Sequence, residues 1–297
     1  MKIAVIADIH ANLAALEACL QDVHRQGVDE IVVNGDIVNR APQNIEVLER
    51  LSQEHCHYVL GNHDDLMIKW IERSQDLPSE WFDSSFWRGT AMVAEELAQG
   101  GWLDCLRDIP FAYRLDLPDA ESLLITHGSP DHYREGYGSR LSSERMGQIV
   151  CDHPADVYIG SHTHKPLLRW HEGKRFINTG AVGTSFNGDP RAHYLLLELR
   201  GSNWHADFRA VTYDLAKAIS DFQQSRYFDE GGLGARLFFE ELMRAKPIYS
   251  PFWFWAERHA REKNEANWQL FQREYPELMS QQLDIQHFAH SDIIIDQ

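Results

Sequence analysis

A strand–helix–strand unit opens the chain and decides the class of fold. Residues 2–36 read KIAVIADIHANLAALEACLQDVHRQGVDEIVVNGD. Lys2–Asp8 and Glu30–Asp36 are nearly continuous apolar runs that end in Asp, a pattern typical of strands buried on both faces of a parallel sheet. Leu13–Gln26 has apolar residues at helical spacing and is closed by Gly27. This alternation predicts an α/β fold with right-handed parallel crossovers.

The pattern continues beyond this unit. We predict a second helix at Gln43–Leu51 and further buried strands at His57–Asp64, Ser122–Gly128 and Asp156–His164. After Pro166 the strands become shorter and have hairpin spacing, at Leu167–Trp170, Arg175–Asn178, His193–Arg200 and Trp204–Tyr213. These later strands predict a second, mostly antiparallel sheet.

Two segments depart from the strand–helix alternation. Asp65–Asp108 has helical periodicity and many aromatic residues, and it is inserted between two predicted strands. We therefore expect a helical cap beside the strand ends. Residues 215–297 are expected to form a helical, aromatic-rich C-terminal extension. The expected division is one domain over residues 1–214, with the cap at 65–108 inside it, followed by the extension.

Composition argues against several classes of protein. The 297 residues carry 45 acidic and 28 basic side chains, a formal net charge of −17, which argues against extended nucleic-acid binding. No apolar run reaches the roughly 20 residues of a membrane span. The amino terminus has no signal-peptide core, so we expect a cytoplasmic protein without a membrane partner. The four scattered cysteines indicate neither a disulfide framework nor a thiolate zinc site.

Polar side chains collect where the predicted buried strands end. They are Asp8, His10, Asp36, Asn62, His63, His127, His162 and His164. Because ligands bind beyond the carboxyl ends of strands in open α/β sheets, five separate segments are expected to meet in one crevice. Any one of these residues alone has a simpler interpretation as a helix cap, but their recurrence at five strand ends favours a site. Carboxylate, amide and imidazole ligands suit Mn²⁺, Zn²⁺ or Fe, and their number favours two ions that share a carboxylate.

Five short blocks in this order resemble the signature of the calcineurin-like metallophosphoesterases. The blocks are Asp8-x-His10, Gly35-Asp36, Gly61-Asn62-His63-Asp64, Thr126-His127-Gly128 and Gly160-Ser161-His162-Thr163-His164. The resemblance spans roughly residues 1–213, and the later segments 178–183 and 188–192 resemble the bacterial phosphodiesterase branch. It implies a four-layer α/β/β/α sandwich of two mixed sheets, to which the cap insertion and the C-terminal extension are added.

The resemblance also implies a role for each matched residue. Asp8, His10 and His164 would bind the first of two divalent ions, Asp36 would bridge both, and Asn62, His127 and His162 would bind the second. Mn²⁺ is the expected metal, with Fe, Zn or Ni as alternatives. The implied chemistry is hydrolysis of a phosphate ester by metal-activated water, and His63 would contact the phosphate or act as general acid.

Two residues in or near these blocks, Asp64 and Arg40, have open roles. Asp64 either orients His63 or caps the following helix. Arg40 resembles the Arg that clamps phosphate in the family's protein phosphatases, and its alternative is a solvated loop residue. Those enzymes have an Asp in place of Asn39, which puts protein phosphatase activity and the support of His63 in doubt. The segment 184–186 also departs from the Gln-Pro-Arg of many bacterial relatives, so a substrate contact is expected to be lost or replaced.

The sequence thus predicts a phosphodiesterase whose substrate, nucleotide-like in one interpretation, is selected by the cap. The alternatives are a phosphomonoesterase or protein phosphatase, and a catalytically silent metal-binding interaction scaffold. Retention of His63 and of all seven ligand positions argues against the scaffold. The cap aromatics Trp70, Trp81, Phe82 and Trp87 either pack or stack on a nucleobase. The cluster 252–255 is expected in a core or an oligomer contact, which leaves a homo-oligomer open.

Overall fold

Strands and helices alternate through most of the chain. The structure, a computed structural model, describes residues 1–279 and the backbone of 294–296, so the rest of the predicted extension lies outside the described residues. The strands are β1 Lys2–Ile6, β2 Glu30–Asn34, β3 Cys56–Val59, β4 Ala112–Leu115, β5 Leu123–Thr126, β6 Val157–Gly160, β7 Pro166–His171, β8 Lys174–Thr179, β9 Ala192–Arg200, β10 Asn203–Val211 and β11 Ile294–Asp296. The helices are α1 Leu13–Gln26, α2 Asn44–Ser52, α3 Asn62–Ile71, α4 Arg88–Gln99, α5 Leu103–Arg107, α6 Ser143–Asp152, α7 Leu215–Gln223, α8 Arg226–Glu230, α9 Gly232–Arg244, α10 Tyr249–Arg258, α11 Glu265–Glu274 and α12 Pro276–Met279.

Local capping sets the bounds of the first helix. The side chain of Asn12 accepts a hydrogen bond from the Ala15 N–H, and Gly27 ends α1 in the left-handed conformation at φ 61°. The third predicted strand, by contrast, is too long. It ends at Val59, and Asn62 already begins α3. The Gly61–Asp64 block therefore lies at a helix amino terminus and not at the end of a strand.

The strands form two mixed sheets. The first has the order β10-β9-β1-β2-β3 and the second has the order β11-β7-β8-β6-β5-β4. The prediction of a separate antiparallel sheet after Pro166 is wrong in its membership, because β9 pairs with β1 while β5 and β6 join β7 and β8. Hairpin spacing determines that β9 pairs with β10. It does not determine which long-range neighbour the hairpin joins.

Three apolar clusters separate four layers. Alternate residues of β1 point in opposite directions, so that Ala4 and Ile6 pack against helices of the outer layer. Ile3 and Val5 pack instead between the two sheets, against residues of β5 and β6. The outer face of the second sheet packs against α6 through Met146. These layers confirm the α/β/β/α sandwich.

The cap and the C-terminal extension pack against each other. The rings of Trp87 and Trp253 lie 5.5 Å apart, and those of Phe86 and Tyr249 lie 5.2 Å apart. Phe252 is fully buried in the shared apolar cluster. None of the helices in the described part of the chain combines the length and the apolar character needed to cross a membrane. Because it packs against the cap, the extension contributes to the surface that surrounds the strand ends.

Candidate metal centre

Backbone strain concentrates at the predicted ligands. Five of them adopt positive φ angles: Asp8 at 51°, His10 at 47°, Asp36 at 52°, His162 at 66° and His164 at 57°. This region is uncommon for residues other than glycine and is costly unless the surroundings hold it. Hydrogen bonds between the loops supply that support, since the Asp8 N–H donates to Gly35 O at 3.1 Å and the His10 N–H to Asp36 O at 3.0 Å.

Two glycines let three strand ends approach closely. A Cβ on Gly61 would lie 2.1 Å from the Asp36 nitrogen, and one on Gly35 would lie 2.7 Å from Nδ1 of His127. Gly35 also has a φ of 79°, which strains any other residue. Side chains at both positions would therefore push apart the ends of β2, β3 and β5, where the predicted ligands lie.

The predicted ligands form two clusters with one residue in common. The first contains Asp8, His10, Asp36 and His164, and the second contains Asp36, His127 and His162, with the ligand atoms of each cluster within 4.8 Å of one another. The seventh predicted ligand, Asn62, lies on the first turn of α3, directly before His63. The structure thus places five of the seven predicted ligands around the carboxylate of a sixth, Asp36, and the seventh on the neighbouring turn.

Unsatisfied acceptor atoms make these clusters fit cations. Oδ1 of Asp8, Oδ1 of Asn62 and Nε2 of His127 are buried without a hydrogen-bond partner. A buried polar atom without a partner is costly, and one way to satisfy the two oxygen atoms is a bound cation, which Nε2 of His127 can also bind once that ring has lost its proton. The donor set of carboxylate, amide and imidazole groups suits divalent metal ions.

The histidine rings are oriented as metal ligands. Nδ1 of His127 lies 2.8 Å from Asn34 O, and Nδ1 of His164 lies 2.5 Å from Thr184 O. A neutral ring that donates through Nδ1 leaves its Nε2 lone pair free for a metal. Nε2 of His164 lies 3.2 Å from Nε2 of His10, whose own Nδ1 is 3.4 Å from a carbonyl oxygen. Two facing lone pairs repel each other unless a cation binds both.

The electrostatics of the site favour cation binding. Burial lowers the pKa of His10 and His164 well below the usual range and that of His162 to about 3, so these rings stay neutral at neutral pH. Burial alone would raise the pKa of Asp36, but the facing histidines, His127 foremost, hold it well below the usual range. Burial also lowers the pKa of His127, but Asp36 outweighs this effect and raises it to about 10. A cation that binds here therefore displaces a proton from His127.

Asn39 fixes the orientation of His63. The Arg40 N–H donates to Oδ1 of Asn39 at 2.8 Å, so the other end of that amide is the NH₂ group, which donates to Nδ1 of His63 at 3.0 Å. The proton of neutral His63 must then lie on Nε2. Burial lowers the pKa of His63 to about 3, which keeps the ring neutral. Asn39 therefore does support His63, although the family's protein phosphatases have an Asp at this position. Asn39 donates a hydrogen bond to the ring, whereas an Asp would accept one.

Asp64 has the capping role and not the orienting one. Its Oδ2 accepts from the Gly61 N–H at 3.1 Å, and its Oδ1 accepts from the N–H groups of Ile37 and Val38 at 2.9 and 3.2 Å. The alternative that Asp64 orients His63 is therefore wrong, because these three backbone donors engage both carboxylate oxygens. Burial raises the pKa of Asp64 to about 7. Asp64 ties the loop after β2 to the start of α3.

Arg40 is buried, so the solvated-loop alternative is wrong. Its side chain is 10% exposed and pairs with Glu241 of α9, which is 1% exposed. The guanidinium carbon lies 4.7 Å from the centre of the Phe238 ring and 5.3 Å from that of Phe186. The sequence analysis missed Glu241. The available signal was an acidic residue at a core position of an otherwise apolar helix face.

The segment 184–186 supports a predicted ligand. Thr184 O accepts from His164, and the Phe186 ring stacks on the His164 ring at 4.3 Å with an interplanar angle of 10°. Phe186 also borders the cavity above the centre. This departure from the bacterial pattern therefore places an aromatic ring beside the candidate ligands.

A cavity of about 400 Å³ opens above the predicted ligands. Its walls include Trp81 and Trp87 from the cap segment and Phe238, Tyr249, Trp253 and Phe254 from the extension. The other two cap aromatics, Trp70 and Phe82, are not among the wall residues, and their rings pack together at 4.9 Å. Arg134, which the sequence analysis did not single out, also borders the cavity. The cap, the extension and the loop that carries Arg134 therefore border one cavity.

Comparison with known proteins agrees with this geometry. Residues 1–202 match the calcineurin-like phosphoesterase superfamily domain, and the chain belongs to that superfamily. It is 26% identical over 257 residues to an uncharacterized protein of Methanocaldococcus jannaschii, across 80% of this chain and 97% of that one. It is 24% identical over 232 residues to serine/threonine-protein phosphatase 2 of Escherichia coli, across 76% and 86%. The crystal structure of a metallophosphoesterase from Sphaerobacter thermophilus is similar with a TM-score of 0.60 at 26% identity, and covers 78% of this chain and all (100%) of that one.

Proposed function

We propose that this protein hydrolyses phosphate esters with two divalent cations as cofactors, and that it prefers diesters to monoesters. The observation that carries the proposal is the pair of ligand clusters that share Asp36. Asp8, His10, Asp36 and His164 would hold one cation, and Asp36, Asn62, His127 and His162 would hold the other. When bound, such a pair activates water as a nucleophile and neutralises charge on the phosphate oxygens. Mn²⁺ is the proposed metal, with Fe, Zn or Ni as alternatives.

His63 would donate a hydrogen bond to the phosphate or to the leaving oxygen. Its Nδ1 accepts from Asn39, so the ring presents an Nε2–H group, and the ring borders the cavity above the ligands. A preorganised N–H donor at this place stabilises the negative charge that develops on that oxygen during hydrolysis. The backbone N–H of His63 donates to Oδ1 of Asp36 at 2.7 Å, which fixes the position of His63 relative to the proposed bridging carboxylate.

The shape of the cavity supports small diesters over phosphoproteins. A space of about 400 Å³ enclosed by cap and extension has the size of a site for a small organic molecule. Its walls are largely aromatic, and a diester carries two organic groups and one negative charge, which suits such walls better than a doubly charged monoester. A nucleobase is one group that these walls accept. The similarity to an Escherichia coli protein phosphatase makes protein phosphatase activity the alternative to test.

The test compares three substrates on one metal-loaded preparation. We expect kcat/KM with Mn²⁺ to be higher for bis(p-nitrophenyl) phosphate than for p-nitrophenyl phosphate or a phosphoserine peptide. A higher value for either monoester would replace the diesterase by a monoesterase or protein phosphatase. Absence of turnover for every ester, in protein that holds its metal, would favour the silent scaffold.

A further inference from the structure

Two cavities meet beside the candidate metal centre. The first lies above the predicted ligands, and the second, of about 290 Å³, lies against α3. Leu66, Trp81 and Arg134 border both cavities. These three residues therefore mark the boundary that a substrate crosses if it extends beyond the metal centre.

Arg134 is the cation at this boundary for which residues 1–279 provide no partner. Arg40, in the first cavity, pairs with Glu241. Lys69, in the second, lies 3.0 Å from the carboxylate oxygens of both Asp65 and Asp76. Within residues 1–279, the Arg134 guanidinium, by contrast, has neither an ion pair nor a side-chain hydrogen bond, and the residue is exposed. Its charge is therefore available to an anion.

The backbone that carries Arg134 is held in place. The N–H of Arg134 donates to Nδ1 of His132 at 3.0 Å, and the N–H of His132 donates to Oγ of Ser129 at 3.1 Å. The neighbouring Tyr133 hydroxyl donates to Oδ2 of Asp65 at 2.6 Å, which ties the loop to α3. A guanidinium on a fixed backbone loses less freedom when it binds, so this loop is preorganised for recognition.

We propose that Arg134 binds a negatively charged group of the substrate that lies beyond the scissile phosphate. The substrate class is then a phosphate ester with a second anionic group, such as a second phosphate, which a guanidinium binds through two parallel hydrogen bonds. The inference rests on the proposed function, which places the scissile phosphate at the shared cluster around Asp36. Arg134 stands at the border with the second cavity, where the remainder of an extended ester would lie. Trp81, on the same border, offers an aromatic ring to that remainder.

The test uses two substrates that differ in one phosphate. The p-nitrophenyl ester of thymidine 5′-phosphate has a single anionic group, and its 3′-phosphorylated form has a second one with the same scissile bond and leaving group. In the unaltered protein we expect KM to be about tenfold lower for the 3′-phosphorylated form, equivalent to about 1.4 kcal/mol. Arg134→Gln should remove this difference and leave KM for the other ester nearly unchanged. Arg140→Gln, on the same loop at an exposed position outside both cavities, serves as the matched control and should keep the difference.

Three results would overturn the inference. The first is an equal KM for the two esters in the unaltered protein. The second is an equal rise in KM for both esters in Arg134→Gln. The third is that Arg140→Gln also removes the difference in KM between the two esters. Binding of thymidine 3′,5′-bisphosphate and thymidine 5′-monophosphate to the Mn²⁺-loaded protein gives the same comparison without turnover. If neither ester is hydrolysed but the bisphosphate still binds more tightly through Arg134, the proposed hydrolysis fails and the anion site stands. If binding shows no such difference, the anion site fails.

Discussion

Removal of one charge from the Arg40–Glu241 pair should destabilise the protein strongly. The side chains are 10% and 1% exposed, so Glu241→Gln leaves the Arg40 guanidinium buried without a counter-charge. Breaking a buried pair in this way costs about 3–5 kcal/mol of unfolding free energy. Oε1 of Glu241 also accepts from the N–H groups of Ile248 and Tyr249, both at 2.8 Å. Gln keeps that acceptor but turns its NH₂ group towards the Arg40 guanidinium, so we attribute the expected loss to the charge and to the hydrogen bond of the pair.

The assay is a double-mutant cycle measured by urea unfolding. Arg40→Met removes the other charge, and the double variant should lose less stability than the sum of the two single changes, because no buried charge then remains unpaired. Glu240→Gln, on the same helix, is the control. Glu240 is 30% exposed and pairs with Arg244, which is 17% exposed; solvent reaches this pair, and such pairs contribute only about 0–1 kcal/mol. At about 2 °C for each kcal/mol in a chain of this size, Glu241→Gln should lower Tm by about 6–10 °C.

A small effect would refute the reasoning. If Glu241→Gln costs no more than Glu240→Gln, Arg40 is hydrated and the extension is not tied to the loop after β2 through this pair. Strict additivity of the Arg40 and Glu241 changes would refute it equally, because two groups in direct contact should show an interaction energy of about 0.5–3 kcal/mol. A large loss in Glu241→Gln with a clear interaction energy would show that the extension, through Glu241, stabilises the loop that carries Arg40.

Three further predictions follow from the site and its surroundings. Asp36→Asn should lower the content of both metals and abolish hydrolysis, whereas Asp8→Asn should weaken the binding of mainly one metal. If elemental analysis finds two tightly bound metals per chain in Asp36→Asn, the assignment of Asp36 as the shared carboxylate is wrong. His63→Ala should keep both metals and a similar Tm, and should lose most rate on esters with poor leaving groups, whose leaving oxygen carries the most negative charge. Equal losses on alkyl and nitrophenyl esters would argue against a hydrogen bond from His63 to the leaving oxygen. Partial burial raises the pKa of Asp156, but the hydrogen bond from Lys174 foremost outweighs this and lowers it to about 2 from a usual value of 3.8. The stability that Asp156 contributes is therefore present above about pH 4 and lost as the pH falls towards 2, so Asp156→Asn should show a smaller decrease in urea midpoint between pH 5 and pH 2.5 than the unaltered protein.

The positions of the candidate ligands were predictable because they follow local patterns. Apolar runs such as Lys2–Ile6 and Glu30–Asn34 form strands almost wherever they are buried, and the next polar residue lies at the end of the sheet. The same logic placed Asp36 and His127 near each other. It failed for the Gly61–Asp64 block in detail, because apolar periodicity does not show that a helix begins three residues after β3 ends.

Arg40 and Asp64 show where local reasoning ends. Both lie in recognisable blocks, and for both the sequence left two roles open. The structure decides between these roles through partners elsewhere in the chain. Asp64 binds the backbone of the preceding loop, 26 and 27 residues away, and Arg40 binds Glu241, 201 residues away.

The sequence by itself determined the α/β class, the order of the ligand-bearing segments and the residue types at their ends. These depend on side-chain periodicity and on residues close in the chain, where each pattern has few structural solutions. Only the tertiary structure decided that β9 and β10 extend the first sheet, that the extension borders the cavity above the candidate ligands, and that, among the described residues, Arg134 rather than Arg40 has an unpaired charge. These outcomes depend on which distant surfaces pack together. Packing is set by the sum of many weak apolar contacts across the whole chain, and no single segment carries that sum.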